Sequence, residues 1–226
     1  WIAQKPHDKM PKNSVVHLGI LAPLRSWNYM GIRPEYETDC NQGGFGIDGN
    51  LSTLIGASFV HPDRLYFGIV VDLSFFYDMN SLGNRHVKNN IRILVVNNGL
   101  GCEFRLFNQV GNILGVETNK YISAAGHFGN MSPKVIRDLA INWGYEYITA
   151  SSKSEFDAVY KRFVSPTITD KPILFEVFTK VEDENEALLK VENFGAEVSK
   201  GTIIKQCIKN AIGEKGTHFI KKITKS

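Results

Sequence analysis

The chain has 226 residues and a mass of 25.4 kDa, with 43% hydrophobic, 11% aromatic and 22% charged residues and a formal net charge of +3. This composition supplies enough apolar surface for a substantial core, and it excludes a disordered tail, a collagen-like repeat and a disulfide-stapled miniprotein. The charge is uneven: residues 201–226 hold six Lys against Glu214, about +5, which leaves 20 basic and 22 acidic residues elsewhere. The body therefore has no basic face, and nucleic acid is not an expected partner.

In chain order, Ser14 to Ile20 (SVVHLGI) reads as a short buried strand and Leu65 to Val71 (LYFGIVV) as a second. A third run, IRILVV from Ile91, ends at Asn97-Asn98-Gly99, and a fourth, PILFEVF from Pro172, ends at Thr179. Between the last two, Ser132-Pro133 opens a helix with Val135, Ile136, Leu139, Ala140 and Trp143 on one face and Gly144 at its end. Ser154 opens another, with Phe156, Val159, Tyr160 and Phe163 inward. Strands that are continuous apolar runs, alternating with helices, predict an α/β protein with three αβα layers and a mostly parallel sheet covered on both faces. An apolar stripe in the basic tail, Ile203, Ile204, Cys207, Ile208, Ala211 and Ile212 with Gly213 as helix stop, predicts a basic amphipathic extension over 196–226 that packs on the domain of 1–195 or on a partner.

No window approaches the roughly 18 uninterrupted apolar residues that a membrane helix needs. With no charged-then-apolar leader after Trp1, the expectation is a cytoplasmic protein, and the Trp1 start reads as a domain cut from a longer chain. Cys40, Cys102 and Cys207 have the spacing of neither a redox pair nor a zinc site and read as small core residues.

In parallel sheets ligands bind beyond the carboxyl ends of the strands, so the residues after each apolar run carry the information. Asp72 follows one run and Asn98 another, 26 residues later, enough for a crossover between adjacent strands. A carboxylate and an amide carbonyl there are hard oxygen ligands suited to Mg²⁺; equally, Asp72 fits a helix N-cap and Asn98 a turn. The third unusual stretch, Asn41 to Gly56, carries glycines at 43, 44, 46 and 49 that let backbone approach a ligand, followed by a small-residue helix.

Taken together, Gly46-Ile47-Asp48-Gly49, then Asp72-Leu73-Ser74 with Asp78-Met79-Asn80-Ser81-Leu82, then Val95-Val96-Asn97-Asn98, resemble the diphosphate-binding domain of the thiamine-diphosphate-dependent enzymes, and within them the menaquinone-pathway carboligases. The resemblance runs from about Ser14 to Asn193. It implies a thiamine diphosphate and Mg²⁺ site in which Asp72, the Asn98 side chain and the Leu100 backbone carbonyl hold the metal. Leu73 and Ser74 would meet the diphosphate, Ile47 would hold the cofactor bent, and the carbonyl of Phe45 or Gly46 would accept from its amino group. Phe104 would be a further cofactor contact. Bending makes proton removal from the thiazolium intramolecular, which is the reason such a shape is useful.

On the substrate side the resemblance implies the positions of Arg25 and Gln42, with a small 2-oxo acid as substrate; His127, flanked by glycine in a loop, is read from the residues alone as a side chain that could reach substrate, the alternative being an ordinary capped loop histidine. The chain departs from the pattern at Val71 and Leu100, where glycine is usual, and Leu100 is expected to be strained if its turn is left-handed. Leu21 replaces a serine, Gln42 an arginine, and Glu103 an apolar residue; Glu103, Glu35 and Glu37 read as surface acids. In such enzymes the activating glutamate lies in a separate pyrimidine-binding domain, so that domain is the expected partner and no catalytic residue is expected in this chain, which alone is expected to be inactive. Three readings stand: a diphosphate-binding domain of a carboligase or 2-oxo-acid decarboxylase, a non-catalytic structural or assembly relative with a degenerate site, and a generic α/β phosphate-binding module. Phe45, Phe75, Phe76, Tyr77 and Phe104 give more aromatic surface than a metal site requires, which predicts a homodimer with at least two of them near its interface.

Overall fold

In a computed structural model of the chain, the residues described are 1–44, 46–107, 109–121 and 132–194. The chain divides into two units, Trp1–Glu184 and Asn185–Ser226. In the first, strand β1 (Val15–Leu18) leads to helix α1 (Ala22–Met30), β2 (Glu37–Asp39), α2 (Asn50–Ser58), β3 (Tyr66–Val71) and α3 (Asp72–Asp78). Then come β4 (Ile91–Asn97), α4 (Val110–Leu114), α5 (Val135–Asn142), β5 (Glu146–Ala150), α6 (Lys153–Phe163) and β6 (Ile173–Phe178). Helix α7 (Val181–Glu192) crosses the unit boundary, and within its second part Glu186 pairs with Lys190 at 2.5 Å. The basic extension predicted over 196–226 lies outside the described residues.

All six strands are parallel, in the order β2-β1-β3-β4-β6-β5, as the apolar runs predict. Successive strand side chains point to opposite faces, and the core divides accordingly. Phe67 and Ile69 of β3, with Phe175 of β6, pack with Trp27, Phe156 and Phe163 on one face; Tyr66 and Val70, with Ile93 of β4, pack with Leu51, Leu54, Phe75 and Ile136 on the other. Burying one such Phe or Leu contributes roughly 1.5–3 kcal/mol. Gly68 lets α2 lie close to the sheet, since a Cβ there would stand 2.6 Å from a methyl of Leu54.

Two strands, β2 and β5, have no apolar run and sit at the two sheet edges, where one side of the strand needs no burial. Helix α6 is capped by Ser152 rather than Ser154: the Ser152 hydroxyl accepts from the Glu155 N–H at 3.2 Å, and the Glu155 carboxylate accepts from the Ser151 N–H at 2.7 Å. Helix α5 starts at Val135, with Ser132 accepting the Lys134 N–H in the turn before it, and Gly144 takes the left-handed backbone after its end. Among the described residues, no helix is long and apolar enough to cross a membrane.

Candidate functional site

The site lies at the carboxyl edge of β1, β3 and β4, because parallel strands deliver all their outgoing loops to the same edge. Val71 stands opposite Val96 in the β3–β4 register, so Asp72 and Asn97 leave the sheet side by side and Asn98 follows. Asp72 is fully buried, and its Oδ2 accepts the Gly99 N–H at 3.1 Å. The carboxylate thus ties the start of α3 to the loop after β4, and Val71 occupies the N-cap position.

That loop is held from below. Asn97 Oδ1 also accepts the Gly99 N–H at 3.1 Å, while its Nδ2 donates to Glu176 Oε1 at 2.7 Å. Asn98 Oδ1 accepts the Leu100 N–H at 2.9 Å, and Nδ2 donates to Glu184 Oε2 at 3.0 Å. The Thr179 hydroxyl donates to Glu184 Oε1, and Cys102 Sγ lies 3.4 Å from Oε2. The left-handed backbone falls on Gly99, at φ +79°, and not on Leu100, so the strain expected at Leu100 does not arise.

Electrostatics around this loop follow from burial. Glu176 is enclosed, which raises its carboxyl above the usual range, although Asn97 and the Tyr147 hydroxyl, 2.7 Å from Oε2, hydrogen-bond to it. The Cys102 thiol is pushed up to about 12, first by burial and then by the Glu184 carboxylate. It is a core thiol rather than a nucleophile.

The third segment arrives from the glycine-rich loop. The Ile47 carbonyl accepts from the Ser74 hydroxyl at 2.5 Å and from Asn50 Nδ2 at 2.8 Å, and Asn50 Nδ2 also reaches Ser74 Oγ at 3.0 Å. The side chain of Ser74 therefore positions Ile47, a task the sequence reading did not assign to it. Asn41 clasps the loop, donating to the Gly49 carbonyl and to Thr53 Oγ1, both at 3.0 Å. Asp78 closes it from the other side by accepting from the Ser52 N–H and hydroxyl at 2.7 and 3.0 Å. Asn41, Asn50 and Asn97 were missed as site-building residues; their only signal was an amide side chain within or beside a motif.

Over these loops lies a small pocket lined by Ile20, Leu21 and Ala22 after β1, by Ile47, by Val71 and Leu73, and by Leu100 to Phe104. Four predicted site residues, Ile47, Leu73, Leu100 and Phe104, share its wall, although Phe104 is 54% exposed. Gly46 adjoins Ile47 in the same loop. Arg25 does not line the pocket: its Nη2 bonds Glu103 Oε1 at 2.5 Å, and Glu103 does line it. Glu103 is thus a half-buried ion-pair partner and not a surface acid, whereas Glu35 and Glu37 are exposed. Gln42 is exposed and stands apart from the pocket wall; Phe45 and His127 lie outside the described residues.

The Asp72 carboxylate, the Asn98 side-chain carbonyl and the Leu100 backbone carbonyl sit on two loops joined by the Asp72–Gly99 hydrogen bond. Such all-oxygen donors suit Mg²⁺, and Asn98 Oδ1 keeps a lone pair beyond the one used by Leu100. No group of three or more His, Cys, Asp or Glu converges among the described residues, so a cation here would draw on amide and backbone oxygen as well as on Asp72.

A parallel six-stranded sheet with oxygen-bearing loops and an apolar pocket at its carboxyl edge defines the class: a three-layer α/β protein. Over 191 residues, 84% of this chain, it is 37% identical to the 2-succinyl-5-enolpyruvyl-6-hydroxy-3-cyclohexene-1-carboxylate synthase of Christiangramia forsetii, covering 31% of that protein. The synthases of the same name from Bacteroides thetaiotaomicron and Flavobacterium johnsoniae are 32% and 30% identical over 80% and 84% of this chain, which covers 31% and 32% of them. The chain is similar to these synthases over most of its own length and spans about a third of the length of the curated relatives it matches. No protein-family profile matches it.

Proposed function

We propose that this chain is the diphosphate- and Mg²⁺-binding domain of a thiamine-diphosphate-dependent carboligase or 2-oxo-acid decarboxylase, completed by a pyrimidine-binding domain outside these 226 residues. The observation that carries the reading is the meeting of three separate segments at one sheet edge: Asp72 bonded to the Gly99 N–H, Asn98 on the same loop, and Ile47 with its carbonyl fixed by Ser74 and Asn50. Asp72, Asn98 and the Leu100 carbonyl would hold Mg²⁺, and Leu73 and Ser74 would lie at the diphosphate.

The bound cofactor would supply a stabilised carbanion equivalent for carbon–carbon bond cleavage or formation. The chain's own residues bind and orient. Ile47, held by two hydrogen bonds to its carbonyl, gives a fixed apolar support, and a support that cannot shift is what an orientation effect requires. The pocket wall of Ile20, Leu21, Leu73, Leu100 and Phe104 excludes water beside it.

A second reading, a non-catalytic relative, is favoured by the internal pairing of Arg25, which removes a guanidinium from the substrate side. Calorimetric titration of thiamine diphosphate with and without Mg²⁺ onto the full-length protein separates the two. Saturable, Mg²⁺-dependent binding supports the first reading. A folded protein that binds nothing supports the second. The 226-residue chain alone is expected to bind far more weakly, since contacts to the aminopyrimidine end would come from the other domain.

A further inference from the structure

We infer that Glu184 is a positioning residue: it fixes the Asn98 side chain so that the amide oxygen, and not the amide nitrogen, is turned to the loop that carries Leu100. Glu184 lies in the first turn of α7 and is half-buried. It stands 86 residues from Asn98, outside every motif on which the resemblance rests. The use of that orientation for a cation rests on the function proposed above; the orientation itself does not.

Asn98 follows β4 and is only half-buried, so its terminal amide can turn over unless both of its ends are held. Nδ2 donates to Glu184 Oε2 at 3.0 Å, and Oδ1 accepts the Leu100 N–H at 2.9 Å. Turned over, the amide would set its own N–H groups against the Leu100 N–H and its oxygen against a carboxylate that only accepts, so both contacts would become repulsive. An inverted Asn98 would also offer donor protons where a cation requires an oxygen lone pair. A hydrogen bond to a carboxylate is stronger than one between neutral groups, so Glu184 supplies the larger share of the preference.

The carboxylate is itself anchored. Its Oε1 accepts from the Thr179 hydroxyl, and the Thr179 N–H donates to the Asn97 carbonyl at 2.9 Å, which continues the β4–β6 pairing past the end of β6. Glu184 is thus tied to the sheet. Its Oε2 also accepts from Cys102 Sγ at 3.4 Å, so one oxygen grips Asn98 and Cys102, the two ends of the short loop whose middle residue is Leu100. An acidic side chain that served only the start of α7, by meeting the positive end of the helix dipole, would need none of these contacts.

Two measurements on the full-length protein test the assignment. The first needs no cofactor: hydrogen exchange of the Leu100 amide, read by mass spectrometry of a peptide spanning 98–102. It should be at least about tenfold faster in Glu184→Ala than in wild type, and within about threefold of wild type in Glu184→Gln, whose amide oxygen still accepts from Asn98. The second is calorimetric binding of thiamine diphosphate at fixed Mg²⁺, which Glu184→Ala should weaken by at least about tenfold and Glu184→Gln should largely restore. In an Asn98→Asp background both ends of the side chain are oxygens and need no orienting. There Glu184→Ala should leave affinity unchanged, or raise it by relieving the repulsion of two carboxylates. A loss of the same size in both backgrounds would show that Glu184 supports the fold and orients nothing. If Asn98→Asp abolishes binding, equal losses in Glu184→Ala and Glu184→Gln would overturn the inference, as would a folded Glu184→Ala protein with unchanged exchange and affinity. A wild-type protein that binds no cofactor sinks the proposed function, and the exchange measurement still decides whether Glu184 holds Asn98.

Discussion

Asp72 and Gly99 are joined across the carboxyl edge of the sheet: the buried Asp72 carboxylate accepts the Gly99 N–H at 3.1 Å, although the residues are 27 apart in the chain. One side chain thereby sets the distance between two loops that would share a cation. Its removal should act on the loop and on the metal together, and the two effects can be separated.

Asp72→Ala in the full-length protein is expected to lower Mg²⁺-dependent binding of thiamine diphosphate by more than about 100-fold, or 2.7 kcal/mol. Asp72→Asn keeps an acceptor for the Gly99 N–H but loses the charge, so it should preserve stability and still bind the cofactor poorly. Calorimetry with and without Mg²⁺ measures both. Equal affinity for wild type and Asp72→Asn would remove the carboxylate from the metal site.

Ser74 is expected to act through Ile47. Ser74→Ala leaves the Ile47 carbonyl with Asn50 as its remaining side-chain donor, which should cost about 1 kcal/mol of stability. Cofactor affinity should fall too, because the support beneath it loosens, and Ser74→Thr, which retains a hydroxyl, should recover part of the loss. Urea midpoints and calorimetry on the three proteins decide the matter; a Ser74→Ala protein unchanged in both would show that the hydroxyl positions nothing.

Glu176 makes stability depend on pH with a predictable sign. Burial raises its carboxyl above 4.5 in the folded protein, so the native state keeps a proton that the unfolded chain has released. Stability should therefore fall as pH rises from about 4.5 through the raised value, the native state being the one with more protons bound. Glu176→Gln cannot lose a proton, and its amide can still accept from Asn97 and donate to the Tyr147 hydroxyl oxygen. It should flatten this part of the profile and be more stable than wild type at pH 7, as read from urea unfolding at several pH values. A variant less stable than wild type at pH 7 would show that the charge–dipole contacts outweigh the burial cost.

Of the aromatic residues grouped by the sequence, Phe75 and Phe76 belong to the core, whereas Tyr77 and Phe104 are 56% and 54% exposed; Phe45 lies outside the described residues. The proposed homodimer would cover the exposed pair. Sedimentation of the protein at micromolar concentration should give a dimer, and Tyr77→Glu with Phe104→Glu should shift it toward monomer. A wild-type monomer at these concentrations would refute the proposal.

The apolar runs of β1, β3, β4 and β6 determined the parallel sheet from the sequence alone, because a strand buried on both faces must be apolar at every position or nearly so. The short edge strands β2 and β5 were illegible for the converse reason: Glu37-Thr38-Asp39 and Glu146 to Ala150 carry polar residues that an edge tolerates. Within the legible runs two charges hid. Arg92, fully buried in β4, donates to the Thr167 carbonyl at 2.6 Å and is pushed down to about 10, first by burial; Glu176 is its acidic counterpart in β6. Hydropathy averages over such residues, and only their distant partners show how they are tolerated.

The motifs around Ile47, Asp72 and Asn98 were likewise visible as words in the sequence, since each demands a residue type at a strand end or in a tight loop. What those side chains bond to was decided by the tertiary structure. Arg25 and Glu103 are 78 residues apart, and Ser74 and Ile47 are 27 apart; no local pattern pairs them. Parallel strands bring distant loops to one edge, and a contact made there depends on sheet order and register, neither of which any single segment encodes. For this reason the sequence marked where the chemistry would sit, and the packing determined which groups remain available to perform it.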